Sequence, residues 1–154
     1  MRFREQPEDL GPLEPAARRH LHTRLAMDLE SPLGPRFPLQ VEFDYREDDP
    51  LVVRLTFPVP GDHPVTWAVS RELLLDGLTA PSGTGDVQVR PAPGGLVELH
   101  LHSTVGSALL LATATALHAA LLGTGQLVPF GAEVSEERLH RGLERLLRSP
   151  AGEG

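Results

Sequence analysis

The chain has 154 residues, 40% of them hydrophobic, which is enough for one core and the length of one domain. It contains no Cys, and all fourteen of its basic residues are Arg. Disulfide scaffolds, thiolate-held metals, thiol nucleophiles, Schiff-base lysines and a P-loop lysine are therefore excluded, and a net charge of −7 has the wrong sign for a duplex DNA binder.

Residues 1–17 mix charges with Pro7, Pro12 and Pro15 and lack the apolar run of a signal peptide. They read as a flexible N-terminal extension before a single domain at 18–149, with a flexible tail at 150–154. The expected location is cytoplasmic. From residue 18 the pattern has a period of two: Leu21, Thr23, Leu25, Met27 and Leu29 alternate with His20, His22, Arg24, Ala26 and Asp28. Such alternation places apolar side chains on one face of a strand and polar ones on the other. The same pattern recurs over Leu39–Tyr45, Leu51–Phe57 and Val65–Val69. Turn clusters at Ser31–Pro35, Asp48–Pro50 and Pro58–Pro64 separate these runs, and short links favour an antiparallel meander.

A helix interrupts the strands. Ser70 caps it, Glu72 sits in its first turn and Gly77 closes it. Strands resume at Asp86–Arg90 and Leu96–His102, and Gly106 marks a hairpin returning through Ala108–Ala112. A short helix is expected from Thr113, its N-cap, to Gly123 just past its end, with Leu117, Ala120 and Leu121 facing inward. The Ala/Leu-rich stretch 108–122 is too short to span a membrane and reads as core or as a contact between subunits. A final amphipathic helix follows Ser135, with Leu139, Leu143, Leu146 and Leu147 on one face and Arg138, Arg141, Arg145 and Arg148 on the other. The fold class is α+β: an antiparallel sheet of about seven strands with an inserted helix and C-terminal helices.

Signals for chemistry are weak. His20/His22 and His100/His102 are metal candidates, because residues i and i+2 share a face of a strand. The same alternation puts them on the polar face, where solvated histidine is ordinary, and no acid of fixed spacing accompanies them. Gly83-Thr84-Gly85-Asp86 lacks the P-loop pattern and precedes a strand rather than a helix, so it reads as a tight connection. No Gly-x-Ser-x-Gly is present. Asp48-Asp49 lies in a turn, and Trp67 alone makes no stacking platform. The sequence assigns no catalytic, cofactor-binding or metal-ligating residue, implies no cofactor or small-molecule substrate, and leaves the partner-binding residues unknown.

One stretch is distinctive. Asp49-Pro50-Leu51-Val52-Val53, then Val65-Thr66-Trp67 through Arg71-Glu72-Leu73-Leu74 to Gly77-Leu78, then Pro81-Ser82-Gly83-Thr84-Gly85-Asp86-Val87 resembles the SsgA/SsgB-like sporulation and cell division proteins of filamentous actinomycetes. The resemblance runs over about residues 18–147 and is densest from 49 to 91; the absence of Lys suits a GC-rich genome. It implies a non-enzymatic regulator of septation that acts by protein–protein contacts at the septum, recruiting or localising the division GTPase FtsZ or a paralogous SsgA-like protein. It also implies a fold like that of Whirly-type single-strand-binding proteins, assembled as a homo-oligomer, a trimer. Single-stranded nucleic-acid binding is the alternative, and the −7 charge argues against it. Trp67, Arg71, Leu74, Gly83, Gly85 and Asp86 fall on the family motif, with packing, capping and turn geometry as their roles. The extension before residue 18 and the segment Leu127-Val128-Pro129-Phe130 depart from the family pattern.

Overall fold

The computed structural model describes residues 19–31 and 34–133. The expected extension, the helix after Ser135 and the tail lie outside the described residues. Within them the chain forms β1 (His20–Leu29), β2 (Phe37–Arg46), β3 (Asp49–Phe57), β4 (Val65–Ser70), α1 (Arg71–Asp76), β5 (Val87–Ala92), β6 (Leu96–Ser103), β7 (Gly106–Thr113) and α2 (Ala114–Leu127). All seven strands belong to one antiparallel sheet in the order β4-β3-β2-β1-β7-β6-β5.

Two meanders make this sheet. β1 to β4 run outward in one direction and β7 to β5 in the other. They meet where Asp28 and Leu29 pair with Leu111 and Leu110. Helix α1 continues from edge strand β4 and also packs on β5, the opposite edge, so the sheet curls until one short helix lies against both edges. Ser82 adds a backbone bridge to Val89 on the outer side of β5.

The period-two pattern decides what lies inside. Leu25 and Met27, Val41, Phe43 and Tyr45, Val53, Leu55 and Phe57, and Val69 line the concave face of the first meander. Val89, Val97, Leu99, Leu101, Leu110 and Ala112 line that of the second. Helix α2 packs on β1, β2 and β7 and inserts Leu117, Ala120 and Leu121. Fully burying one Leu, Val or Phe side chain contributes about 1.5–3 kcal/mol, so this face dominates the stability. Trp67 is half-buried at its margin.

Two glycines do something other than the sequence suggests. Gly77 ends α1 as expected, but with φ −67, not in the left-handed region. A Cβ there would lie 2.2 Å from Val89 Cγ1, so glycine is required by the approach of α1 to β5. Gly123 does not end α2, which runs to Leu127 with Val128 as its C-cap. Glycines 123 and 125 instead allow close approach: a Cβ would sit 3.1 Å from Leu21 Cδ2 at the first and 2.8 Å from Phe130 Cε2 at the second. Packing overrides the local stop signal. Gly83 does adopt a positive φ of 94, and a Cβ there would meet Val87 O at 2.4 Å, whereas Gly85 faces open space.

Candidate functional site

Arg71 is the first residue of α1, and its side chain turns into the fold. Ser70 caps the helix by accepting from Leu73 N at 3.1 Å, which fixes where the Arg71 stem leaves the backbone. The residue is 0% exposed and is the largest fully buried side chain among the described residues. Its guanidinium donates to Thr124 Oγ1 (3.2 Å), Val128 O (2.7 Å), Pro129 O (3.3 Å) and Glu133 Oε2 (2.5 Å). The Tyr45 ring lies 5.0 Å away and the Phe130 ring 4.3 Å, so the cation is held between two aromatic faces. Carbonyls left over at a helix C-terminus need donors; here Val128 N takes Thr124 O, Arg19 Nη2 takes Leu127 O at 3.1 Å, and Arg71 takes the carbonyls of the cap Val128 and of Pro129 beyond it. Burial pushes the Glu133 carboxyl up, but its bond to Arg71 and the backbone N–H groups of Glu133 and Gly131 outweigh this and hold it below the usual range. The segment 127–133, expected to depart from the family pattern, is therefore the clasp between α2 and α1.

The outer surface carries the groups able to meet a partner. On β7, Leu110 and Ala112 point to the core, while Leu109 and Leu111 share the other face with Asp28, Glu98 and His100; Leu111 is only 5% exposed, so half-buried Leu109 is the accessible apolar group of that face. Beside it a groove of about 630 Å³ runs between β1 and β7, lined by Leu29, Glu30, Phe37, His100, Ala108 and Leu109. Phe37 stands at its lip, 55% exposed. On α2, Leu122 faces away from the core and is likewise exposed.

The two histidine pairs lie on the outer face, as the alternation requires, but they do not meet. β7 stands between β1 and β6, and β1 touches β7 only at the end remote from His20. His100 Nε2 lies 3.3 Å from Glu98 Oε1, and the rings of His100 and His102 stack at 6.4 Å. Arg90 Nε binds Glu98 Oε1 at 2.7 Å. That bond is the main cause holding the Glu98 carboxyl below the usual range, against partial desolvation and with help from His100. On β1 the pair does have acids: Asp44 Oδ1 is 2.7 Å from His22 Nδ1 and 3.4 Å from His20 Nε2, and Glu42 completes a cluster with His22 and Asp44. These acids lie on β2, directly across in the register His22↔Asp44, so spacing along one strand could not reveal them. Of the motif residues, Trp67, Leu74 and Gly83 serve packing and turn geometry, and Asp86 accepts from His102 N through its backbone carbonyl at 2.8 Å.

Comparison with known proteins gives a consistent result. Residues 39–133 match the family described as Streptomyces sporulation and cell division protein, SsgA. The sporulation-specific cell division protein SsgB of Streptomyces coelicolor is 38% identical over 130 residues, covering 82% of this chain and 92% of that protein. The SsgB protein of Kineococcus radiotolerans is 34% identical over 141 residues, covering 88% and 85%. Among solved structures, an SsgA-like sporulation-specific cell division protein from Thermobifida fusca superposes with a TM-score of 0.71 at 31% identity, covering 86% of this chain and 97% of that one. With the family description spanning β2 to the clasp and relatives of this identity spanning most of the chain, the protein belongs to the SsgA family of sporulation and cell division proteins.

Proposed function

We propose that the chain regulates sporulation-specific cell division without catalysing a reaction, by protein–protein contacts at the septum. The observation that carries this reading is the match, over 82% of the chain, to a protein named for sporulation-specific cell division. The partner is the division machinery: FtsZ itself, or a paralogous SsgA-like protein that positions it. The protein works as a homo-oligomer, and its place in the cell is the cytoplasmic side of the forming septum. Support comes from the surface: the groove between β1 and β7, with exposed Phe37 at its lip and Leu109 in its lining, offers an apolar contact area. Among the described residues no helix is long and apolar enough to cross a membrane. Single-stranded nucleic-acid binding is the weaker reading, since the −7 charge repels a phosphate backbone.

The test is imaging of a fluorescent fusion in a sporulating actinomycete host, together with co-sedimentation of the purified chain with polymerised FtsZ and, separately, with paralogue-loaded polymer. Septal ladders and co-sedimentation in either arm are the expected results. Diffuse fluorescence throughout septation, with no protein in either pellet, would overturn the proposal.

A further inference from the structure

Strands β1 and β2 bring two imidazoles and two carboxylates to one spot on the outer face of the sheet. His20 and His22 are two apart on β1 and share that face; Glu42 and Asp44 are two apart on β2 and share it too. The register places His22 directly opposite Asp44. One ligand atom each from His22, Glu42 and Asp44 lies within 4.8 Å of the others, and His20 Nε2 lies 3.4 Å from Asp44 Oδ1. We propose that this cluster is a binding site for a divalent transition-metal cation, Zn²⁺, held by His22, Asp44 and Glu42, whose ligand atoms already lie together, with His20 turning in from beside Asp44 as the fourth ligand.

The geometry and the donor chemistry agree. Zinc bonds of about 2.0–2.1 Å at tetrahedral angles put ligand atoms about 3.3–3.4 Å apart. The His20–Asp44 separation of 3.4 Å already has that value, and the His22–Asp44 pair at 2.7 Å needs to open by a few tenths of an ångström. The side chains have the freedom for this, because His20, His22 and Asp44 are 49%, 42% and 27% exposed. Two imidazole nitrogens select a borderline-soft cation over Mg²⁺ or Ca²⁺, which take oxygen ligands. Three ligand atoms already lie together, and with His20 turned in four protein ligands would fill a tetrahedron, the pattern of a structural site rather than a catalytic one.

The surrounding charges permit it. Arg46 lies across from His20 and Arg54 across from Asp44, which would oppose a cation. Yet each has an acid of its own: Arg46 Nε is 3.5 Å from Asp48 Oδ1, and Arg54 Nη2 is 2.9 Å from Asp49 Oδ2. Arg24, across from Glu42, is the remaining positive neighbour on this face. It makes Glu42 the weakest of the four ligands. A metal here would tie β1 to β2 where the chain enters the sheet, independently of which protein the molecule meets at the septum.

Isothermal titration of the untagged full chain with ZnCl₂ tests the site. One Zn²⁺ per chain is expected, with His22→Gln and Asp44→Asn each weakening binding at least about tenfold, since even residues behind the ligands are worth that much. His102→Gln, in the other histidine pair, should bind as the parent does, and MgCl₂ should give no saturable heat. All four positions are solvent-facing, so far-UV circular dichroism should show both site variants folded; His20→Gln serves as the second site variant if either is not. The proposal is overturned by an absence of saturable Zn²⁺ binding, by binding that survives His22→Gln and Asp44→Asn unchanged, by its loss in His102→Gln, or by equal affinity for Mg²⁺.

Discussion

Replacing Arg71 is the most direct probe of how the fold is closed. Arg71→Ala removes four charge-assisted hydrogen bonds, two ring contacts and the largest fully buried side chain among the described residues. Each hydrogen bond from a charged donor is worth about 1.5–3 kcal/mol when probed singly. They share one guanidinium, so they do not add. The acceptors also differ in what they lose. Glu133 retains 15% exposure and turns to water, and Pro129 is exposed, whereas Thr124 is buried and Val128 half-buried. Breaking a buried ion pair costs about 3–5 kcal/mol, and the solvent access of two acceptors places this one near 3. For a chain of this size that is a fall in Tm of about 10 °C. Arg71→Met keeps the packed stem and loses only the donors, so it should cost less than the alanine variant; Arg71→Lys keeps the charge but not the planar fork and should fall between parent and alanine. Urea unfolding followed by the fluorescence of Trp67, the single tryptophan, reads all three. A loss below about 1 kcal/mol for Arg71→Ala with unchanged m-value would refute the clasp as an energetic feature.

Three further outcomes are expected. Gly77→Ala drives a Cβ to within 2.2 Å of the fully buried Val89 and should destabilise by about 1–3 kcal/mol, while Gly85→Ala, which meets open space, should stay within about 0.5 kcal/mol in the same urea assay. Glu98 and Glu133 have folded-state pKa values below the ordinary one, so their contribution is complete above about pH 4.3 and is lost as pH falls through the lower folded values. The urea midpoint of the parent should drop more steeply over that acid range than that of Glu133→Gln; parallel curves would contradict the assignment. Phe37→Asp changes a residue 55% exposed and should leave stability within about 0.5 kcal/mol while reducing septal localisation of the fusion; full localisation would remove the β1–β7 groove from the contact surface.

Strand identity was legible because burial alternates. Leu25 and Met27, Val41 to Tyr45, and Val53 to Phe57 announce one wet and one dry face, and Ser70 and Thr113 announce helix starts through their side-chain oxygens. Strand order was not legible. A run of short links suggests neighbours in sequence, whereas the sheet joins β1 to β7, a pairing that no local residue encodes. Helix α2 runs past Gly123 to Leu127 because Gly123 and Gly125 are used for close approach rather than for a left-handed cap. Arg71 was visible as a motif position, but its role was hidden, since its acceptors are a threonine, two backbone carbonyls and a carboxylate more than fifty positions away. For the same reason the acids beside His20 and His22 stayed out of reach: cross-strand neighbours follow from register, and register follows from the finished sheet.

The junction of the two meanders also sets an order of events in time. Hairpins β1–β2, β2–β3, β5–β6 and β6–β7 close over short loops, and so does β3–β4. The Asp28–Leu111 and Leu29–Leu110 pairs close only when most of the chain has been drawn into one loop, and two residue pairs return little for that entropy. Each meander is therefore expected to assemble before the two are joined, and amide protons at the junction should exchange sooner than those of Val41 or Val53 in the middle of the first one, which hydrogen-exchange measurement would check. A partner laid across β1 and β7 would grip the protein at its latest-forming line, so binding there would act chiefly by slowing the reopening of that junction.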